Sequence, residues 1–365
     1  MLVSFGGAKS SRTMRGWRVA EARRATIAEV AQLAGVHAGT ASRALNARTR
    51  AMVNADTVLR VEEAAKRLGY VPNALARGLR TRNSMTIGVV IPDITNPFFP
   101  PVVRGIEAHL QPHGYSALIA NTDGFAEGES GALRSLLDRR VDGLIVASGQ
   151  REETAIAELY RSGVKVVLLN RDAGPVPYPL VAGNDASGIA AAVESLVELG
   201  HRRLVHVAGP MSISTSASRA QAFEASCSAH EGVVGTVVNA DALSIEAGRD
   251  AMLPLLRNRS HGITGVIAST DLIAVGILRA MKQMAIQCPR DMSVIGFNDV
   301  QFAEDFCPPL STIRVPTTAM GERAARLLLD ALNGGDQMAE TVMLPVSLVL
   351  RDSTGPAPVE GIQQL

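Results

Sequence analysis

Residues 26–46 read TIAEVAQLAGVHAGTASRALN, and their spacing decides how the chain begins. Thr26 stands three residues before Glu29, so its hydroxyl can cap a helix while the carboxylate reaches back to the cap amide. Val30, Ala31, Leu33 and Ala34 give that helix an apolar face. Gly35 supplies a tight turn, Val36 can pack beneath it, and a second helix is expected from about Ala38 to Leu45. A third is expected from about Asp56 to Leu68, with Asn54 or Asp56 near its cap and Gly69 just past its end. Helix, glycine turn and helix make a helix-turn-helix, whose second helix enters the DNA major groove N-terminal end first. His37, Ala38, Gly39 and Arg43 then lie closest to base edges. Arg43 can donate two bonds to guanine O6 and N7, and Ala38 can meet a thymine methyl. Thr40 and Ser42 can bond phosphates.

Charge supports that reading. The 365 residues carry a net charge of only +1, but it is unevenly spread. Residues 1–84 hold 15 Lys/Arg against 5 Asp/Glu, and residues 85–365 hold 21 against 30. A basic module joined to an acidic body suits nucleic acid at one end and a separate task at the other. Residues 1–24 lack a clear period, are rich in Gly, Ser and Arg, and read as a disordered arm. Pro72-Asn73 restarts the chain after the third helix. Asn73 can cap a short helix through Leu79 that is too short to persist alone in water.

From Met85 the pattern changes to short apolar runs alternating with helical stretches. Strands are expected at Thr86–Ile91, Ala117–Ala120, Gly143–Ala147, Val164–Leu169 and Leu180–Ala182, then at Leu204–Val207, Thr236–Val238, Val266–Ala268 and Ser293–Gly296. The late stretches Met320–Leu332 and Thr341–Leu350 are expected to return and complete each series. Such alternation predicts doubly wound parallel sheets, and about ten strands predict two similar lobes. Sheets of this kind bind ligands at the carboxyl ends of their strands, so the cleft between lobes is the natural site.

Other classes are disfavoured. Apolar residues make up 47% of the chain, ample for a buried core. Cys227, Cys288 and Cys307 form no C-x-x-C pair, which fits a reducing cytoplasm and no zinc ribbon. No apolar run of about 18 residues predicts a membrane span. G-x-G-x-x-G after the first strand, G-x-x-x-x-G-K-[ST], H-E-x-x-H and G-x-S-x-G are all missing, so no enzyme, metal site or cofactor is expected. His201 follows Gly200 at a helix end, where a cation suits the dipole.

The run TIAEVAQLAGV…TASRALN, then LGYVPNALARGL (68–79), IPDITNPFF (91–99), ELGHRRLVHVAGP (198–210), SVIGFNDV (293–300) and PPLSTIRVP (308–316), resembles the lactose/galactose-repressor family of bacterial transcription regulators. The resemblance spans about residues 26–350 in order. It implies a helix-turn-helix headpiece, a hinge helix and a two-lobed effector domain like periplasmic sugar-binding proteins. It implies a homodimer on near-palindromic double-stranded operator DNA, with paired hinge helices in the minor groove. Leu79 is then the apolar wedge at the central base step, with Ala76 beside it and Asn73 at the hinge start. Relatives usually carry Ser where His37 stands, which implies a lost N-cap costing about 1 kcal/mol, and Gly39 adds a similar penalty inside a helix. Most carry Asn-Asp at Thr270-Asp271, and many carry Asp at Asn298.

The effector cleft is expected to draw on Asn96, Phe98 and Phe99 after the first strand, and on Asn170 and Arg171 after the fourth. From the second lobe come Thr215, Arg219, Thr270 and Asn298. For Phe98 and Phe99, core packing is an equal alternative to stacking on a ligand. Arg219, a fixed positive group among neutral amides, tilts the expected effector from a neutral sugar toward a sugar acid. The domain reading is an arm at 1–24, a headpiece at 25–70, a hinge at 71–84 and an effector domain at 85–365. Within that domain, lobe 1 takes about 85–185 and 317–345, and lobe 2 about 186–316 and 346–355. The expected function is a cytoplasmic, effector-controlled repressor. A sugar-binding protein without DNA function is the competing reading, and residues 26–79 argue against it.

Overall fold

The computed structural model describes residues 25–46, 49–70, 83–124, 126–149, 154–257, 262–335 and 339–358. The chain divides into two units, residues 1–80 and 81–365. The arm at 1–24 and the hinge residues Asn73, Ala76 and Leu79 lie outside the described residues.

The first unit holds α1 (Ile27–Ala34), α2 (Ala38–Ala44), a 3-10 turn (Arg50–Met52) and α3 (Ala55–Leu68). The capping box forms as its residues require: Glu29 N donates to Thr26 Oγ1 at 3.3 Å, and Thr26 N to Glu29 Oε2 at 2.7 Å. Gly35 and Gly69 end α1 and α3 at φ +66° and +60°, the left-handed region that a Cβ disfavours. Asn54, not Asp56, caps α3. Val30, Ala31, Ala41, Ala44, Val58, Val61, Ala64 and Ala65 form the core; small side chains let three short helices pack closely.

The second unit contains two six-stranded sheets. Lobe 1 is built from β1 (Thr86–Ile91), α4 (Phe99–Leu110), β2 (Ser116–Asn121), α5 (Ala126–Asp138), β3 (Gly143–Val146), α6 (Thr154–Arg161), β4 (Val166–Leu169) and β5 (Leu180–Gly183). Lobe 2 follows with α7 (Asp185–Glu198), β6 (Arg203–Ala208), α8 (Ser214–Ser228), β7 (Val234–Asn239), α9 (Ile245–Arg257) and β8 (Gly265–Ala268). It continues through α10 (Asp271–Gln283), β9 (Ser293–Asn298) and β10 (Ser311–Arg314). The chain then returns to lobe 1 for α11 (Thr317–Leu332) and β11 (Thr341–Leu344), and ends its ordered path in lobe 2 with β12 (Ser347–Val349).

The sheet orders are β11-β5-β4-β3-β1-β2 and β12-β10-β9-β8-β6-β7. Each reverses direction beside its first strand, the switch point where the carboxyl ends of parallel strands leave a crevice. Among the described residues, only β12 runs antiparallel to its neighbour. One point departs from the sequence reading. The strand β10 was not expected. The late stretch 341–350 holds two strands, β11 and β12, one for each sheet.

Candidate DNA-binding helix and effector cleft

The amphipathic spacing of α2 turns Ala41 and Ala44 into the headpiece core and leaves Arg43 exposed. Thr40, Ser42 and Gly39 are half-buried beside it. Ala38 is also half-buried and packs against the core, so only part of its methyl is available to a partner. The expected loss of the α2 N-cap does not occur. His37 takes the capping role itself, its Nδ1 accepting from Gly39 N at 3.1 Å. The glycine is part of this device. A Cβ at position 39 would lie 3.2 Å from His37 Nδ1, closer than side chains normally tolerate, so Gly39 makes room for the ring that caps it. Because Nδ1 accepts, the neutral ring carries its proton on Nε2.

In the effector domain, strand ends bring a different set together. Arg219 projects from α8 and is buried. Its Nε donates to Asp185 Oδ2 at 2.8 Å and one terminal nitrogen to Ser269 O at 2.5 Å, while its guanidinium carbon lies 3.7 Å from the centroid of Phe297. This corrects the premise behind the sugar acid: the positive group is already paired. Burial pushes the Asp185 carboxyl up, against the charge and hydrogen bond of Arg219. Arg171, at the end of β4, is buried too. Burial draws its guanidinium down to about 10; the Glu129 carboxylate opposes this and Arg219 adds to it. A terminal nitrogen of Arg171 donates to Ser148 O at 3.2 Å, and its Nε has no partner. The hydroxyls of Ser148, Ser216 and Ser269 are likewise buried without a hydrogen bond. Ser148, Arg171 and Ser269 follow strand ends and Ser216 lies in the first turn of α8; buried polar groups left open in this way are ones a polyhydroxylated ligand would satisfy.

The other expected cleft residues are placed as follows. Asn96 Oδ1 accepts from Phe98 N at 3.0 Å in the turn that precedes α4. Phe98 and Phe99 are buried in the core of lobe 1, edge to face with centroids 5.1 Å apart. Thr215 is buried in the first turn of α8. Thr270 caps α10, accepting from Ile273 N at 3.2 Å. Asn170 and Asn298 both have positive φ, +64° and +119°, and Asn tolerates the first of these better than most residues. Beside Asn298, Asp271 is wholly buried. Thr312 Oγ1 donates to its Oδ1 at 2.5 Å, and Val300 N donates to its Oδ2 at 2.8 Å. Asp271 therefore fastens the loop after β9 and does not act as a cleft charge. Across the cleft, Asp172 N donates to Ser214 Oγ at 2.8 Å and ties the lobes together. His201 is not a helix-end cation. It is buried, with Nε2 donating to Gly355 O at 3.0 Å and Nδ1 accepting from Thr264 Oγ1 at 2.8 Å; burial lowers its pKa.

Comparison with known proteins agrees with both halves. Residues 26–73 match the model described as bacterial regulatory proteins, lacI family, and residues 193–354 match a periplasmic binding protein-like domain. The ribose operon repressor of Escherichia coli K12 is 32% identical over 335 residues, 90% of this chain and 99% of the relative. The chain belongs to the lacI family of bacterial regulatory proteins. Among solved structures, the lac repressor dimer bound to operator and the anti-inducer ONPF aligns with a TM-score of 0.81 at 26% identity, over 91% of this chain and 100% of that one. A lacI-family regulator from Enterococcus faecium with bound ribose aligns with a TM-score of 0.63 at 29% identity, over 74% of this chain and 99% of that one. As a lacI-family member, the protein is a transcriptional repressor with a helix-turn-helix DNA-binding domain. Among its described residues, no helix is long and apolar enough to cross a membrane. Sequence reading missed Asp185, Ser148, Ser216 and Ser269. The only signal for Asp185 was its place just after β5, where a strand end meets a helix start.

Proposed function

We propose that the protein is a homodimeric repressor whose grip on a near-palindromic operator is set by a neutral, pentose-sized sugar held between its two lobes. The open Nε of Arg171 and the three open serine hydroxyls carry the effector half of this reading. Arg219 already has a carboxylate, so sugar hydroxyls suit its surroundings better than a second anion would. The ribose named for the relatives is of this class. On the DNA side, His37, Gly39, Thr40, Ser42 and Arg43 form the reading face, Ala38 adds what methyl it leaves exposed, and the hinge places Asn73, Ala76 and Leu79 in the minor groove. A second copy would cover β2 and β7, the edge strands of the two sheets, where Ile119 and Val234 are exposed.

A sugar acid is the second reading, favoured by the positive charge and unbonded Nε of Arg171. Calorimetric titration of D-ribose and D-ribonate into wild type and Arg171→Ala separates the two. The sugar reading expects ribose to bind and ribonate to bind more weakly. Tighter ribonate binding that Arg171→Ala abolishes would establish the acid. Binding of neither would sink both.

A further inference from the structure

The chain enters lobe 1 through a polar knot. Asp142, just before β3, accepts from Ser84 N at 2.7 Å and Ser84 Oγ at 3.0 Å through Oδ1, and from Met85 N at 2.9 Å through Oδ2. Met85 sits at φ +56°, a backbone region its side chain disfavours, so the bonds to its amide hold a turn that would otherwise relax. Asn83 Oδ1 also accepts from Met85 N at 3.2 Å, and Asn83 Nδ2 donates to the Tyr115 hydroxyl at 3.3 Å. Backbone bonds run from Ser116 N to Met85 O and from Asp142 N to Thr86 O. Beside the knot lies a cavity of about 410 Å³ lined by Asn83, Tyr115, Arg140, Val141, Asp142 and Leu332. On that side, hydrogen bonds rather than close packing fix residues 83–85.

We propose that Asp142 is a positioning residue for DNA binding: by pinning Ser84 and Met85 it sets the point and direction from which the chain leaves lobe 1. Without those bonds the strained backbone at Met85 is free to turn, and the chain then leaves lobe 1 in no fixed direction. A symmetric pair of recognition helices must meet half-sites about 34 Å apart, so a re-aimed root weakens binding to correctly spaced half-sites. Phosphate contacts made anywhere along a duplex need no such alignment and should survive. The inference rests on the DNA-binding reading above.

The test uses full-length protein and a duplex selected by wild type from a random pool. Asp142→Ala should bind that duplex about tenfold more weakly or worse. It should keep wild-type affinity for a non-specific duplex and lose the preference for one half-site spacing over spacings changed by one or two base pairs. Unchanged affinity and spacing preference in Asp142→Ala would overturn the proposal, as would equal losses on both duplexes. Should Asp142→Ala fail to fold, Asp142→Asn, which keeps one acceptor for Ser84 and puts a donor against Met85 N, is held to the same two readouts. If wild type enriches no sequence, the DNA-binding reading has failed, and not the role of Asp142.

Discussion

At the scale of single residues, two departures from the family pattern turn out to be one arrangement. His37 and Gly39 each look unfavourable alone, since one replaces a small capping hydroxyl and the other sits inside a helix. Together they restore the cap, because the glycine leaves space for the imidazole. His37→Ala should cost the headpiece about 1 kcal/mol, and His37→Ser should recover most of it. Thermal unfolding of the two variants checks this; an unaffected His37→Ala would show that the imidazole is not the cap. Asp271 gives a second test. Burial raises its carboxyl to about 6, despite the bonds from Thr312 and Val300. The folded state therefore keeps this proton up to about pH 6, whereas the unfolded chain releases it near 3.8. The contribution is fully present below pH 4 and is lost as pH rises through 6, by about 3 kcal/mol. His206, lowered to about 4 by burial, works oppositely and removes stability as pH falls below 6.5. Relative to Asp271→Asn, wild type should gain stability steadily between pH 7 and 4. Parallel denaturation curves for the two proteins would contradict this.

Among the elements, the strongly patterned ones were legible in the sequence. The capping box, the two C-terminal glycines and the apolar runs of strands β1, β3 and β4 have one period each and no competitor. The strand β10 was not legible because its residues, Ser311-Thr312-Ile313-Arg314, do not read as apolar, yet the first three are wholly buried. Their polar atoms are satisfied by partners distant in sequence: Ser311 N donates to Ser353 Oγ, Ser311 Oγ to Arg351 O, and Thr312 Oγ1 to Asp271. The Arg219–Asp185 pair was hidden for the same reason, since its members are 34 residues apart and meet only through the fold. The helix crossings carry a further prediction. Where α4 meets α11, a Cβ on Gly105 would run into Thr318 O, and one on Gly321 into Val102 O. The crossing of α9 and α10 in lobe 2 repeats this with Gly248 and Gly276. Gly321→Ala should force the helices apart at about 1–3 kcal/mol, although alanine is the better helix former. An unchanged unfolding midpoint would show that the crossing has slack.

For the molecule as a whole, the basic N-terminal module and the larger acidic body read from the sequence go with matches to the lacI regulatory family at residues 26–73 and to a periplasmic binding protein-like domain at 193–354, and the switch points of the two sheets are where a ligand crevice is expected. A hydrogen bond from Asp172 N to Ser214 Oγ joins one lobe to the other. In this account a sugar between the lobes changes their closure, and closure changes what the headpieces can reach on DNA. On the DNA side, Arg43→Ala should relax base preference at one position per half-site, by about 1–3 kcal/mol, and leave non-specific binding nearly intact. The most direct measurement is the affinity of the full-length protein for its selected duplex, with and without D-ribose, set beside the same titration for Arg43→Ala. The account predicts a near-palindromic selected sequence, an affinity that shifts over the ribose concentrations at which the sugar binds, and loss of the sequence preference in Arg43→Ala. A duplex affinity indifferent to the bound sugar, or a sequence preference that survives in Arg43→Ala, would contradict it.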